Sequence, residues 1–320
     1  MASKNKWTQD NIPSQRGKRI LITGANSGIG LEAAKVMAAK GADVILACRN
    51  ESKAIQAMAT IRQQTPKASL HFLPVDLSSL QSVRDMCEIF FEQYNKLDVL
   101  LNNAGVMWLP KGQTVDGFES QIGTNHFGHF ALTGLLLPAL LKQAGSRVVT
   151  VSSIAHRAGN LNFDDLFFER RPYGKHKAYG QSKLANLVFA RELDRRLNAA
   201  GAQTISVAVH PGAASTNLAV PGYQQSGSTL LANVAKAVSP LITQSAVKGA
   251  LPSLYAATES GVHGGDYIGP DGFYEAFGYP APASSTGRSR NPEIARKLWE
   301  ISEQLTGVSY SFDSSKARGP

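Results

Sequence analysis

Residues 19–23 are a short apolar run, and Gly24, Gly28 and Gly30 follow it just ahead of residues 31–40, which have helical composition. A buried strand that breaks on glycines and restarts as a helix narrows the possible folds sharply. Such a turn lets backbone approach a pyrophosphate, and the helix N-terminus adds N–H donors and positive potential. Asn26, Ser27 and Ile29 complete the turn, with Asn26 and Ser27 able to donate hydrogen bonds. The order is Gly-x3-Gly-x-Gly, unlike the Gly-x-Gly-x2-Gly of the usual dinucleotide fingerprint. The alternative is a glycine turn that only packs the helix on the strand.

The pattern repeats along the chain. Strands are predicted at 19–23, 43–47, 70–75, 98–102, 147–152, 204–209 and 266–268. Helices are predicted at 29–40, 52–64, 79–94, 118–143, 178–200, 243–258 and 291–305. This alternation predicts an α/β, doubly wound parallel sheet of about seven strands with helices on both faces. No linker divides it, so a single domain over 18–305 is expected, with 1–17 as a flexible arm and 306–320 as a frayed, serine-rich tail. Residues 160–177 and 211–240 escape the alternation. Long loops beyond strand C-termini are usually lids or binding loops.

Of 320 residues, 43% are apolar and 18% charged, enough for a sizeable core and against global disorder. The net charge of +9 favours an anionic partner such as a phosphorylated cofactor. No zinc-finger or RNA-binding aromatic pattern accompanies it, so nucleic acid is not expected. Cys48 and Cys87 set up neither a disulfide framework nor a metal site and read as buried thiols in a reducing compartment. The first residues are polar without an apolar signal core. The greasiest stretch, 130–141, contains Gly134 and Pro138 and is too short to span a bilayer. A soluble, cytoplasmic protein without a membrane span is expected.

Tyr179 and Lys183 stand four apart in a predicted helix, on one face and one turn from each other. A neighbouring ammonium favours phenolate, so the lysine is expected to lower the tyrosine pKa and fit it for proton exchange with an alcohol or carbonyl oxygen. An ordinary exposed pair is the alternative. At the end of the 147–152 strand, Ser153 can donate to a substrate oxygen, while strand alternation turns Ser152 to the opposite face.

Together these motifs resemble the short-chain dehydrogenase/reductase family over roughly residues 18–305. The segment from Thr23 to Gly30 resembles its cofactor turn; Asp76 and Leu77 resemble its adenine-contacting pair. Asn102, Asn103, Ala104 and Gly105 resemble the segment that closes over the cofactor. Asn125, Ser153, Tyr179 and Lys183 resemble the catalytic residues, and Pro211, Gly212 and Thr216 the turn that shelters the nicotinamide. The resemblance implies a Rossmann-like fold and hydride exchange between a nicotinamide cofactor and a carbonyl or alcohol. It implies that Lys183 also binds the cofactor ribose and that Asn125 holds a water linking Lys183 to solvent. An asparagine that merely kinks or caps the helix is the other reading of Asn125. His126 and His129 lack a third ligand at metal-binding spacing and read as structural.

Strand two ends on Arg49 with no acidic residue at its tip, which favours the 2′-phosphate of NADP(H) over the free ribose of NAD(H). The competing reading pairs Arg49 with Glu51. Ser153 and Tyr179 are 26 residues apart, so an insertion lies between them. With Ala47 to Arg49, Asn125 to Phe130 and Asn162 to Asp165, it resembles the subgroup of retinol dehydrogenases, the WW-domain oxidoreductase and protochlorophyllide reductase. No cysteine follows Cys87, a departure from the protochlorophyllide enzymes.

Phe163, Leu166, Phe167 and Phe168 in the insertion, with Leu218, Val220, Tyr223, Leu230 and Leu231, would suit a lipophilic carbonyl or alcohol; alternatively they pack the lids or an oligomer face. Family members commonly form homodimers or homotetramers through the helices bearing Asn125 and Tyr179, though this subgroup includes monomers. Rival functions are a catalytically silent NADP(H)-sensing protein and a nucleotide-sugar epimerase or dehydratase.

Overall fold

A computed structural model describes residues 6–213 and 244–312. Strands β1 (Arg19–Thr23), β2 (Asp43–Cys48), β3 (Ser69–Pro74), β4 (Val99–Asn102), β5 (Arg147–Val151), β6 (Ile205–Val209), β7 (Tyr267–Pro270) and β8 (Pro280–Pro282) form one sheet. Its order is β3-β2-β1-β4-β5-β6-β7-β8. The strands pair in parallel except β8, which is antiparallel to β7. The eighth strand is an addition to the expected seven. It carries Pro280 and Pro282, whose missing N–H groups are tolerated at a sheet edge and disguise it as a loop.

Between the strands run α1 (Gly28–Ala39), α2 (Glu51–Gln64), α3 (Leu80–Gln93), α4 (Ser120–Ile122), α5 (Gly128–Leu141), α6 (Lys175–Ala199), α7 (Ala246–Thr258) and α8 (Pro292–Thr306). Strand order reverses at β1 and β4, which opens a crevice at their C-terminal ends, the place where such sheets take ligands. One core, with Ile20, Ile22, Val44 and Leu46, faces α1 and α7; the other, with Leu21, Ile45, Leu100 and Val148, faces α3 and α5. Neighbouring strand residues thus go to opposite faces, and both faces are covered, which is why these strands read as unbroken apolar runs.

The predicted 118–143 helix runs over residues 120–141 and widens on the way: a π-helical turn, Gly123–Phe127, joins α4 to α5 and carries Asn125. Such wide turns release backbone groups from the regular ladder and recur at functional sites.

Both ends are better anchored than their composition suggests. Ile12 and Gln15 are buried, and Trp7 donates from Nε1 to Glu259 Oε2 at 2.9 Å. At the other end Val308 is buried, and the Tyr310 hydroxyl donates to the Phe130 carbonyl at 2.6 Å. The α8 residue Trp299 stacks on Phe189 of α6 and meets Phe130 of α5 edge-on at 5.2 Å between ring centres. The outer surface of the Asn125 and Tyr179 helices is therefore covered by the chain's own α8 and the segment behind it. Pairing with a second copy there has to work around that cover.

Candidate active site

The glycine turn is the first component. Gly24 and Gly28 have φ of 67° and 55°, in the left-handed region that favours glycine. A Cβ on Gly30 would lie 2.5 Å from both the Gly24 carbonyl oxygen and Asn103 Nδ2. Side chains cap α2 (Asn50), α3 (Ser79) and α7 (Ser245), but Ser27 makes no such bond at the start of α1. The first N–H groups of α1, next to Gly28, Ile29 and Gly30, thus have no side-chain cap, an arrangement compatible with an anionic group at the helix start.

Arg49, at the end of β2, is three-quarters exposed and lies 3.6 Å from Asp76 Oδ2. The pair joins two predicted cofactor residues and replaces the expected alternative of Arg49 with Glu51. Asp76 Oδ1 accepts from the N–H and hydroxyl of Ser78 at 2.9 and 2.6 Å, and Leu77 is buried beside it.

Thr23, which opens the cofactor turn in the sequence, also fixes the next component. Its hydroxyl accepts from the N–H groups of Asn103 and Ala104, each at 2.9 Å. Asn103 Nδ2 donates back to the Thr23 carbonyl at 2.8 Å. Since Thr23 Oγ1 is already an acceptor twice over, its proton goes to His129 Nε2 at 2.9 Å. His129 then donates from Nδ1 to the Asn125 carbonyl at 3.0 Å. One histidine links the cofactor segment to the π turn. Its burial pushes its pKa down to about 4, so it stays neutral and keeps this tautomer.

Asn125 is fully buried and fully used. It donates from Nδ2 to the Val106 carbonyl and to Ser182 Oγ, both at 2.9 Å, and accepts from Val106 N–H at 2.7 Å. Ser182 in turn donates to the Tyr179 carbonyl at 2.8 Å. Both amide protons are therefore committed to protein groups, and the side chain braces the tyrosine helix against the 103–106 segment. A Cβ on Gly105 would sit 3.1 Å from Asn125 Oδ1 and 3.5 Å from Lys183 Nζ, so this glycine lets the three elements meet.

Ser153, Tyr179 and Lys183 come together at the end of β5. The Ser153 hydroxyl lies on the Tyr179 phenol's side and favours its ionised form. Lys183 Nζ lies 5.7 Å from the centre of the Tyr179 ring and donates to the Val151 carbonyl at 3.1 Å. Ser152, as alternation predicts, turns away and donates to the Lys183 carbonyl at 2.7 Å.

The electrostatics differ from expectation. Burial pushes the Tyr179 phenol up to about 12, against the smaller pull of the Ser153 hydroxyl. Burial also pulls the Lys183 ammonium down to about 8. Desolvation dominates at both groups, and Tyr179 holds its proton at neutral pH.

Pro211 and Gly212 follow β6, next to the end of β5. Gly212 has φ of 65°, and Gln244 Nε2 donates to the Pro211 carbonyl at 2.6 Å. Thr216 and the apolar residues from Leu218 to Leu231 lie outside the described residues.

Of the insertion's apolar side chains, Leu166 and Phe168 are buried, and Phe163, Leu166 and Phe167 pack with Phe118, Phe127 and Leu184. Phe163, Leu166 and Phe167 also line a surface hollow with Ile301 and Leu305 of α8. Nearer the reaction centre, Trp108 meets His176 edge-on, with ring centres 4.8 Å apart. His176 is three residues before Tyr179, on the same helix face. Trp108 has φ of 58°, held by its N–H to Gln121 Oε1 at 2.9 Å.

A doubly wound sheet with a serine, a buried tyrosine and a lysine at its C-terminal edge, beside a glycine-lined helix start, defines a nucleotide-dependent oxidoreductase. The short chain dehydrogenase family model matches residues 18–226. Human retinol dehydrogenase 13 is 40% identical over 293 residues, covering 91% of this chain and 85% of its own length. Human retinol dehydrogenase 14 is 39% identical over 305 residues, covering 91% of this chain and 87% of its own. The crystal structure of an uncharacterised protein from Mycobacterium paratuberculosis superposes with a TM-score of 0.78 at 40% identity, covering 96% of this chain and 99% of that one. The chain belongs to the short-chain dehydrogenase/reductase family and is retinol dehydrogenase-like. Among the described residues no helix is long and apolar enough to cross a membrane.

Proposed function

We propose that the protein is an NADP(H)-dependent reductase that converts a lipophilic aldehyde or ketone to its alcohol, with Tyr179 as proton donor. The observation that carries this reading is the convergence of Ser153, the buried Tyr179 and Lys183 at the end of β5, with a phenol that burial raises to about 12. A phenol that keeps its proton is suited to give it to a carbonyl oxygen as that oxygen gains negative charge.

Bound NADPH would supply the hydride. Gly24, Gly28, Gly30 and the start of α1 would hold its pyrophosphate, and Asn103, Ala104 and Gly105 would close over it. Asp76 and Leu77 would meet its adenine. The preference for NADP(H) rests on Arg49, whose exposed guanidinium has Asp76 as its ion-pair partner and can swing to a 2′-phosphate. Ser153 would donate to the substrate oxygen and hold it against Tyr179. Lys183, charged below pH about 8, would favour the tyrosinate left after proton transfer. Asn125 would keep the tyrosine helix in register with the segment covering the cofactor.

The preference for a lipophilic substrate draws on the similarity to retinol dehydrogenases and on Trp108 beside His176. The Trp108 ring, met edge-on by His176, puts an aromatic surface on the Tyr179 side of α6, suited to a conjugated or ring-bearing chain. The free, buried Cys48 and Cys87 fit a reducing compartment such as the cytoplasm.

The test is NADPH oxidation against retinal, aliphatic aldehydes, steroids and quinones, with Tyr179→Phe as control. Turnover of an apolar carbonyl that vanishes in the variant supports the reading. NADPH binding without turnover across the panel would mean a nucleotide sensor. Product formed without net NADPH consumption would mean an epimerase or dehydratase.

A further inference from the structure

Beyond β6, a buried histidine and the partly exposed polar side chains around it take no part in the chemistry described so far. His210 is completely buried. Its Nδ1 accepts from Gly212 N–H at 3.2 Å, so its proton resides on Nε2. That nitrogen faces Glu275 Oε2 at 3.3 Å, a bent electrostatic contact rather than an aligned hydrogen bond. The same carboxylate oxygen accepts from Arg157 Nη2 at 2.8 Å. Arg157 lies in the short 3-10 helix that starts directly after Ser153. The other carboxylate oxygen accepts from the N–H and hydroxyl of Ser284 at 2.9 and 2.7 Å.

The backbone is shaped to deliver this carboxylate. Tyr274 and Glu275 have φ of 49° and 59°, two consecutive side-chain-bearing residues in the left-handed region. Such strain persists only where surrounding contacts over-determine it. A Cβ on Gly269 would lie 1.9 Å from His210 Nε2, so only a glycine in β7 leaves the ring its place. The Gly212 turn is also docked on the same loop, through Ala213 N–H to the Ala276 carbonyl at 2.9 Å.

We propose that Glu275 is a positioning residue that clasps the two edges of the reaction cleft, holding the Ser153 segment through Arg157 and the Pro211–Gly212 turn through His210. The two edges follow adjacent strands, β5 and β6, yet the carboxylate tying them comes from a loop more than a hundred positions after Ser153. With the clasp closed, the Ser153 hydroxyl and the turn keep a fixed separation. Without it each edge moves on its own, and the substrate oxygen loses its alignment with Ser153 and Tyr179. Because the separation matters to the geometry of reaction, loss of the clasp acts on kcat more than on cofactor affinity.

This inference rests on the reductase reading, and the experiment separates the two. Wild type and Glu275→Ala, Glu275→Gln and Gly269→Ala variants are compared for kcat and KM with the best carbonyl substrate, for NADPH affinity by fluorescence, and for thermal midpoint. Glu275→Ala is expected to lower kcat by about 10- to 100-fold, the range for misaligned reacting groups, and to weaken NADPH binding less than about threefold. Glu275→Gln keeps a single acceptor oxygen, enough for the Arg157 and His210 side but not for Ser284 as well, and should recover part of the rate. Gly269→Ala, which displaces His210, should reproduce the alanine phenotype from the opposite side. A wild-type protein inactive on every carbonyl would sink the reductase reading. An active wild type whose Glu275→Ala variant loses only thermal stability, with kcat intact, would overturn the clasp. If Glu275→Ala does not fold, Glu275→Gln and Arg157→Gln decide the matter: unchanged kcat in Arg157→Gln would overturn it equally.

Discussion

The Thr23 hydroxyl lies 2.9 Å from His129 Nε2, so a strand residue at the glycine turn and a histidine on the helix after the π turn share one proton-ordered chain. That chain ends on the Asn125 carbonyl at one side and on the N–H groups of Asn103 and Ala104 at the other. Cofactor segment and reaction centre are thus mechanically joined. Thr23→Val preserves shape but leaves both N–H groups without an acceptor. The expected loss is about 2 to 4 kcal/mol of unfolding free energy, the cost of stranding buried donors. Denaturant unfolding measures it, and a titration with NADPH should show weaker binding in the folded fraction. A variant as stable as wild type would mean that the network carries no strength.

Tyr179→Phe removes only the phenolic hydroxyl. The expected fall in kcat is about 10²- to 10⁴-fold, the typical share of a positioned acid. NADPH affinity should stay close to wild type. Steady-state turnover together with fluorescence titration resolves the two effects, and full activity in the variant would remove Tyr179 from the chemistry.

Arg49→Ala should raise the Kd for NADPH by about 10- to 100-fold while NADH is little changed, since a charged hydrogen bond to phosphate is worth about 1.5 to 3 kcal/mol. Arg49→Asp should go further and favour NADH. Equal affinities of the variant and wild type for NADPH would assign the 2′-phosphate elsewhere.

The pH profile follows from two burial effects of opposite sign. Tyr179 is raised to about 12, so it remains a proton donor throughout the working range. Lys183 is lowered to about 8, so its charge is present below that value and is lost as pH rises through it. Reduction should therefore slow on the alkaline side with an apparent pKa near that of Lys183. Lys183→Met should be slow at every pH and lack this limb. An alkaline limb that survives in Lys183→Met would belong to some other group.

Much of this was legible in the sequence because the signals are local. Apolar runs separated by helical stretches placed seven strands within a residue or two, since strands covered on both faces carry no polar interruption. The glycine turn and the Tyr179–Lys183 spacing are similarly compact. What could not be read depends on contacts between distant segments. Thr23 and His129 are 106 positions apart, and nothing in either neighbourhood announces the bond. The proline-flanked β8 reads as loop until β7 is beside it. Phe163, Leu166 and Phe167 are greasy whether they line a hollow or fill a core, and the assembled fold has them packing with Phe118 and Phe127 while also lining a hollow with Ile301 and Leu305. Burial of Tyr179, which reverses the expected direction of its pKa, is likewise a property of the assembled fold.

The seal that Trp299 and Tyr310 place over α5 and α6 also imposes an order on biosynthesis. The tyrosine helix leaves the ribosome long before the aromatic residues that close its back. Until those later segments arrive, Phe130 and Phe189 remain open to water and to other nascent chains. Competence for catalysis and protection from aggregation should therefore arrive together, once α8 and Tyr310 have emerged.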